Sequence, residues 1–347
     1  MTHRSSRTAF LAVTLLALLV TGAVVSVSVG QLGVGMRGAV GSMLDAVGIR
    51  TSWTPQPELI NASLQQIRFP RAAMSVVVGA GLAVAGAVMQ ATFGNPLAEP
   101  GVVGVSSGAA LGAAVVIASG TTLGGEWGLA LAAFVGGLLT TVVVYLTARS
   151  GGRTEVVTLL LTGIAVNAFA GAGIALAMFA GSTASREQIV FFQLGSFNGT
   201  RWPEVLVVTL VTVPAVAAAW ALGRQYDLLA LGERTASHLG VRVERLRGIS
   251  IVLVALLVGV GVAFVGIVAF VGLVVPHLVR MIVGPAHRAL IPLSMLAGAT
   301  LIVWADTIAR TAVDGADLPI GLLTSLIGGP FFLYLIRRSR REAGGWA

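Results

Sequence analysis

The sequence predicts an all-α polytopic membrane protein with about ten transmembrane helices, and three observations carry that prediction. The 347 residues are 56% apolar and only 10% charged, with a mean hydropathy of +0.92. The charges gather into short connectors between apolar runs, each near the roughly 20 residues that a helical crossing needs. Among the 45 glycines, those within the runs let neighbouring helices approach closely.

Each element can be justified in chain order. The apolar windows lie near 10–30, 72–93, 101–121, 127–148, 156–181, 204–223, 249–283, 289–311 and 318–336. The 249–283 run is long enough for two short crossings, which brings the total to ten. The first window follows Arg4 and Arg7 but exceeds the usual signal core of about 7–15 residues, so it reads as a retained span. Residues 31–66, with Trp53, Pro55, Pro57 and Glu58, form the longest outer connector and suit a short amphipathic segment at the membrane surface. Gly104, Gly108 and Gly112 share one helix face and are expected to serve packing within the subunit. Asn95-Pro96 ends a helix and shapes a turn.

The 182–202 region, with Gly181 just before it, holds Arg186, Glu187, Gln193, Gly195, Ser196, Asn198 and Gly199. It reads as a broken or re-entrant segment, because such backbone is tolerated at membrane depth only inside protein or beside a water cavity. Pro276 places His277 and Arg280 on a kinked helix. His277 has no second ligand at metal-type spacing, and the absence of cysteine removes thiolate sites, so no metal site is expected.

Charge sets the orientation. Arg4, Arg7, Arg149, Arg153, Arg224, Arg234, Arg242, Arg245, Arg247, Arg280, Arg288, Arg337, Arg338, Arg340 and Arg341 fall on one side, fifteen of the 22 basic residues. That side is expected to be cytoplasmic, together with both termini, as in a multi-pass protein of the bacterial inner membrane. Because the charges flank spans, the net +8 marks a membrane topology and no nucleic-acid surface.

One polar island interrupts the apolar chain at Leu231, Gly232, Glu233, Arg234, Thr235, Ala236, Ser237, His238, Leu239 and Gly240. Glu233 to Ser237 can form a short helix, Gly240 can cap it, and Val241 to Arg247 can start another. Within 227–247 this makes a two-helix cytoplasmic element suited to meeting a soluble partner. Every basic residue is arginine, so a phosphate-binding loop of the Walker type, which needs lysine, is excluded. Any ATP hydrolysis therefore belongs to another subunit.

Three motifs carry a family resemblance. The first runs Arg68-Phe69-Pro70-Arg71 through Gly79, Gly81, Gly86 and Gln90 to Asn95-Pro96-Leu97-Ala98-Glu99-Pro100-Gly101. The second is the island Leu231–Gly240. The third runs from Gly266 through Pro276, His277 and Arg280 to Asp306, Arg310, Leu318-Pro319-Ile320-Gly321 and Gly329-Pro330-Phe331-Phe332. Over about residues 60 to 337 the chain closely resembles the FecCD permeases of type II ABC importers for iron chelates, heme and vitamin B12.

The resemblance implies a single permease domain over 1–347, paired with a second permease copy as a homodimer or with a close paralogue. It also implies two cytoplasmic ABC ATPase subunits and an extracytoplasmic substrate-binding protein. No cofactor is expected on this chain; ATP and Mg belong to the partner ATPase. Coupling is expected at Leu231, Gly232, Glu233, Arg234, Ala236, Ser237, Leu239 and Gly240. Arg68, Arg71 and Arg310 are expected to dock the binding protein, with Asp306 and Arg310 also able to pair along one helix face. Gln90, Gln193, Ser196, Phe197 and Asn198 are candidate pathway residues. The stretch 187–199 resembles heme permeases of Gram-positive bacteria, which points to heme or a ferric siderophore as cargo, with cobalamin as the alternative. An ion-coupled carrier with buried carboxylates and a channel with a polar filter ring fit less well, since the central spans carry few charges.

Overall fold

A computed structural model describes residues 2–30, 33–55, 58–121, 124–150, 153–313 and 315–342. The first apolar run forms α1 (Thr2–Ser28), and the outer connector holds α2 (Met36–Ala46) and α3 (Glu58–Ser63). One π turn, Leu64–Arg68, joins α3 to α4 (Phe69–Phe93). Pro70 has no N–H to offer the preceding turn, and the ladder widens where that bond is missing.

Gly94 ends α4 with φ 59, and the Asn95 side chain then accepts the Leu97 N–H at 2.9 Å, which makes the expected turn. After it come α5 (Val105–Ser119), α6 (Gly128–Thr147) and a minimal hairpin in which Arg149–Ser150 pairs with Arg153–Thr154. The chain continues through α7 (Val156–Ala180), α8 (Thr183–Leu194), α9 (Trp202–Ala221), α10 (Gly223–Leu229) and α11 (Glu233–His238). It ends with α12 (Val243–Val265), α13 (Val271–Val283), α14 (His287–Ala309) and α15 (Ile320–Glu342).

Seven helical stretches are long and apolar enough to cross a bilayer: Ser6–Ser28, Glu58–Phe93, Gly128–Thr147, Val156–Ala180, Trp202–Ala221, Val243–Val265 and His287–Ala309. Three shorter apolar helices, Val105–Ser119, Val271–Val283 and Ile320–Tyr334, occupy the remaining expected windows. The apolar windows of α4, α12 and α14 are 83%, 72% and 61% buried, against 17–28% for α1, α6, α7 and α9, so the first three form the centre. The main core accordingly runs from Met74 on α4 to Ile320 on α15.

Close backbone approach explains how so many helices meet α4. At Gly79 the Gly298 carbonyl of α14, and at Gly86 the Gly272 carbonyl of α13, occupy the place a Cβ would take. The Gly108 and Gly112 stripe likewise receives Gly136 and Ala132 of α6, so it packs within the subunit.

The 249–283 run departs from the expected pair of short crossings. α12 is a full-length helix, whereas α13 has 13 residues and is about 20 Å long, short of the roughly 30 Å hydrocarbon core. Between them, 266–270 is not helical. Its surroundings satisfy it: Ile267 donates to the Phe192 carbonyl at 3.3 Å and Ser196 donates to the Val265 carbonyl at 2.7 Å. Ile320 in turn donates to the Gly195 carbonyl at 3.1 Å, so the breaks after α8 and α12 and the start of α15 share one bonded junction. The same junction holds Phe270, the one non-glycine with positive φ (66°) among the described residues, whose N–H faces Glu99 Oε1 at 3.4 Å.

Candidate functional site

The polar island folds as the local signals require. Gly232 precedes α11 with φ 101, and Gly240 follows it with φ 88, a left-handed position that suits glycine. The Gly240 N–H donates to the Ser237 carbonyl and the Val241 N–H to the Ala236 carbonyl, each at 3.0 Å, which closes the helix in a Schellman motif. Only Ala236 in the 231–240 segment is buried; Leu231 and Leu239 are 61% and 56% exposed. An open groove of about 1000 Å³ runs along Gly232 to Arg245. α11 is thus an exposed short helix of mixed charge, flanked by two exposed leucines.

What sequence reading missed is how this surface is held. Arg247, 3% exposed, ion-pairs with Glu233 of α11, bonds Glu244 at 3.0 Å and donates to the Thr154 carbonyl at 3.2 Å. Glu244 also accepts from the Thr154 hydroxyl at 2.8 Å. One buried guanidinium thus ties α11, the hairpin and α12 together. Arg247 lies in a run of basic residues, and nothing in its spacing separates it from its exposed neighbours Arg242 and Arg245.

A second set of contacts extends from α10. Tyr226 is fully buried, its hydroxyl 2.9 Å from that of Ser250 on α12. Burial pushes the Tyr226 phenol up to about 12, so it stays neutral and serves only as a hydrogen-bonding group. Asp227 accepts both the backbone N–H of His287 and a bond from its Nδ1 at 2.8 Å, which fixes the start of α14. On the core side, Gln90 of α4 donates to the Leu273 carbonyl at 3.1 Å and accepts from Arg280 of α13 at 3.3 Å. Contacts from α11 thus reach α12 through Arg247 and α14 through α10.

At the opposite end, the three arginines expected to dock a partner make bonds within the chain. Arg68 is 9% exposed and donates to the Val27 carbonyl at 2.8 Å, while Arg310 donates to Ser26 and to the Val29 carbonyl. Two cations thus cap the last carbonyls of α1, where the helix dipole favours them. Arg71 grips Asp306 through Nε and Nη2, at 3.0 and 2.9 Å, and reaches Asp317 at 2.7 Å. Asp306 and Arg310 come only to 4.0 Å, so the pairing expected along their helix face is secondary to the one with Arg71. The guanidinium groups are held at the start of α4 because the end of α1, Asp306 of α14 and the loop at Asp317 meet there.

The FecCD transport family matches residues 18–338. The chain belongs to that family. Among FecCD relatives, the hemin transport system permease protein HmuU of Yersinia pestis is 41% identical over 80% of this chain and 84% of its own length. The cobalamin import system permease protein BtuC of Halobacterium salinarum is 40% identical over 81% of this chain and 75% of its own length. A metal-chelate type ABC transporter solved in an inward-facing conformation superposes with a TM-score of 0.81 at 33% identity, covering 94% of this chain and 98% of that one.

Within this FecCD fold the expected pathway residues separate into two places. Gln90 is 1% exposed and belongs to the α4–α13 contact just described. Gln193 and Ser196 are half-buried and Asn198 is exposed around the turn after α8, where the Ser196 hydroxyl accepts the Asn198 N–H at 3.1 Å. Phe197 is 1% exposed in the main core, so in this conformation it packs instead of lining an opening. Among the described residues no three His, Asp or Glu side chains converge as metal ligands would.

Proposed function

We propose that this FecCD chain is the membrane subunit of an ATP-driven importer that moves an iron chelate, heme or a ferric siderophore, into the cytoplasm by alternating access. The observation that carries the reading is the exposed α11, anchored by Arg247 and Asp227 to the two central helices α12 and α14. Two separate ABC ATPase subunits, which hold ATP and Mg, dock on Leu231, Gly232, Glu233, Arg234, Ala236, Ser237, Leu239 and Gly240, and their closure drives the helices. A second permease copy completes the pathway, and an extracytoplasmic binding protein delivers the cargo. Few charges line the central helices, which suits a bulky, partly apolar chelate better than a bare cation needing oxygen ligands. The 41% identity with a hemin permease supports heme, and the 40% identity with a cobalamin permease supports a second reading in which cobalamin is carried.

Proteoliposomes bearing the chain with its matched ATPase and binding protein are expected to accumulate hemin or a ferric siderophore only when ATP is supplied. Accumulation of cobalamin alone would transfer the chain to the second reading, and ATP-independent uptake would sink both. The orientation has its own test. The chain lacks cysteine, so Ser237→Cys introduces a single thiol. A membrane-impermeant maleimide is expected to label it in inverted vesicles and not in intact spheroplasts; the opposite pattern would reverse the topology.

A further inference from the structure

An apolar groove of about 510 Å³ lies between α9 and α14, with α4 as its floor and Leu19 of α1 at its rim. Its α9 wall is Thr212, Val213, Val216, Ala217 and Trp220, and its α14 wall runs from Ile291 to Ala299. Each wall covers nine residues, or about 12 Å of helix. That is close to the depth of one leaflet, half of the roughly 30 Å hydrocarbon core. The groove offers almost no polar group that could orient a soluble cargo, which a small-molecule site would need.

Two arginines stand at one end of the groove. Arg224 lies in the first turn of α10, just past the Leu222 break that ends α9, and Arg288 stands on α14 three residues before Ile291. The start of α10 at Gly223 packs on the Arg288 backbone, so both lie beyond the same end. Both are exposed, and neither has a carboxylate partner among the described residues. Asp227, the acidic residue nearest in sequence, is turned to His287. Trp220, 54% exposed, donates its Nε1–H to the Arg288 carbonyl at 3.1 Å and so joins the two walls at this end. An indole at the end of an apolar groove, followed by two unpaired cations, is the order of chemistry met along a phospholipid, from interface to headgroup.

We propose that this groove is a binding site for one anionic phospholipid, with an acyl chain between α9 and α14 and the phosphate between Arg224 and Arg288. The lipid would fill the gap between a peripheral helix and a central one, and would join α9 to the end of α14 that Asp227 positions. The site does not depend on which face of the membrane the arginines occupy, since it draws its lipid from whichever leaflet meets them.

The test uses delipidated full-length protein titrated separately with dioleoylphosphatidylglycerol and dioleoylphosphatidylcholine, with bound lipids counted by native mass spectrometry. Each arginine near a headgroup contributes roughly fivefold, so one phosphatidylglycerol should bind about 25-fold more tightly than phosphatidylcholine. R224Q/R288Q should remove that preference and leave phosphatidylcholine binding unchanged, and A217W, which fills the groove, should remove one lipid of either kind. Brominated phosphatidylglycerol should quench a share of the tryptophan fluorescence that W220F lacks. Equal binding of the two lipids by the unmodified protein, a preference that survives R224Q/R288Q, or quenching independent of Trp220 would each overturn the proposal.

Discussion

Replacing Arg71 with methionine is expected to destabilise the permease by roughly 3–5 kcal/mol, the range for breaking a buried ion pair by removing one member. Asp306 is 1% exposed and would keep only Arg310, 4.0 Å away and already committed to the carbonyls of α1. Removing the charge on both sides should restore most of the loss, because a buried pair replaced by apolar side chains of similar size is often neutral. The measurement is thermal unfolding of detergent-solubilised Arg71→Met, Asp306→Leu and the double variant. Both single variants should melt earlier and the double variant near the unmodified protein. Exposed docking arginines would behave differently: association with the binding protein would fall while the melting temperature stayed in place. That second pattern would restore the role the sequence suggested for Arg71.

The contrast between the two ends of the molecule shows what a sequence can and cannot disclose here. The apolar helices were legible because the bilayer dictates their length and composition. α11 and its Gly240 cap were legible because capping depends on residues a few positions apart. The partner of Arg71 is 235 residues away, and neither periodicity nor local pairing reaches that far. Local logic instead offered Arg310 as the partner of Asp306, since the two are four apart on one helix. The break at 266–270 was hidden for a related reason. Its bonds come from the segment after α8 and from Glu99, so the apolar run predicted two crossings without placing the break between them. Arg247 shows the limit most clearly, because burial, which sequence does not display, separates it from the exposed arginines beside it.

The largest effect on function is expected at the cap and clamp of α11. Gly240 holds φ 88 and donates its N–H to Ser237. Proline there fixes φ near −65° and has no N–H, so Gly240→Pro should unwind the end of α11 while sparing the spans. Arg247→Met acts from below, since it frees Glu233 and Glu244 together and lets α11 move without carrying α12. In a complex reconstituted with the ATPase and binding protein, either change should lower binding-protein-stimulated ATP hydrolysis by about tenfold or more, corresponding to ~1.4 kcal/mol or more of coupling. Basal hydrolysis, which needs no signal from the membrane, should persist. Glu233→Gln offers a graded control: its side-chain oxygen can still accept from Arg247, so the coupling loss should be partial. Glu233 is itself 60% exposed and Glu244 keeps its bond from the Thr154 hydroxyl, so the loss in the methionine variant would come chiefly from the mechanical link. Full stimulation in both Gly240→Pro and Arg247→Met would place coupling elsewhere on the same face of the protein, with the groove at Tyr145, Arg149 and Gly248 the next surface to probe.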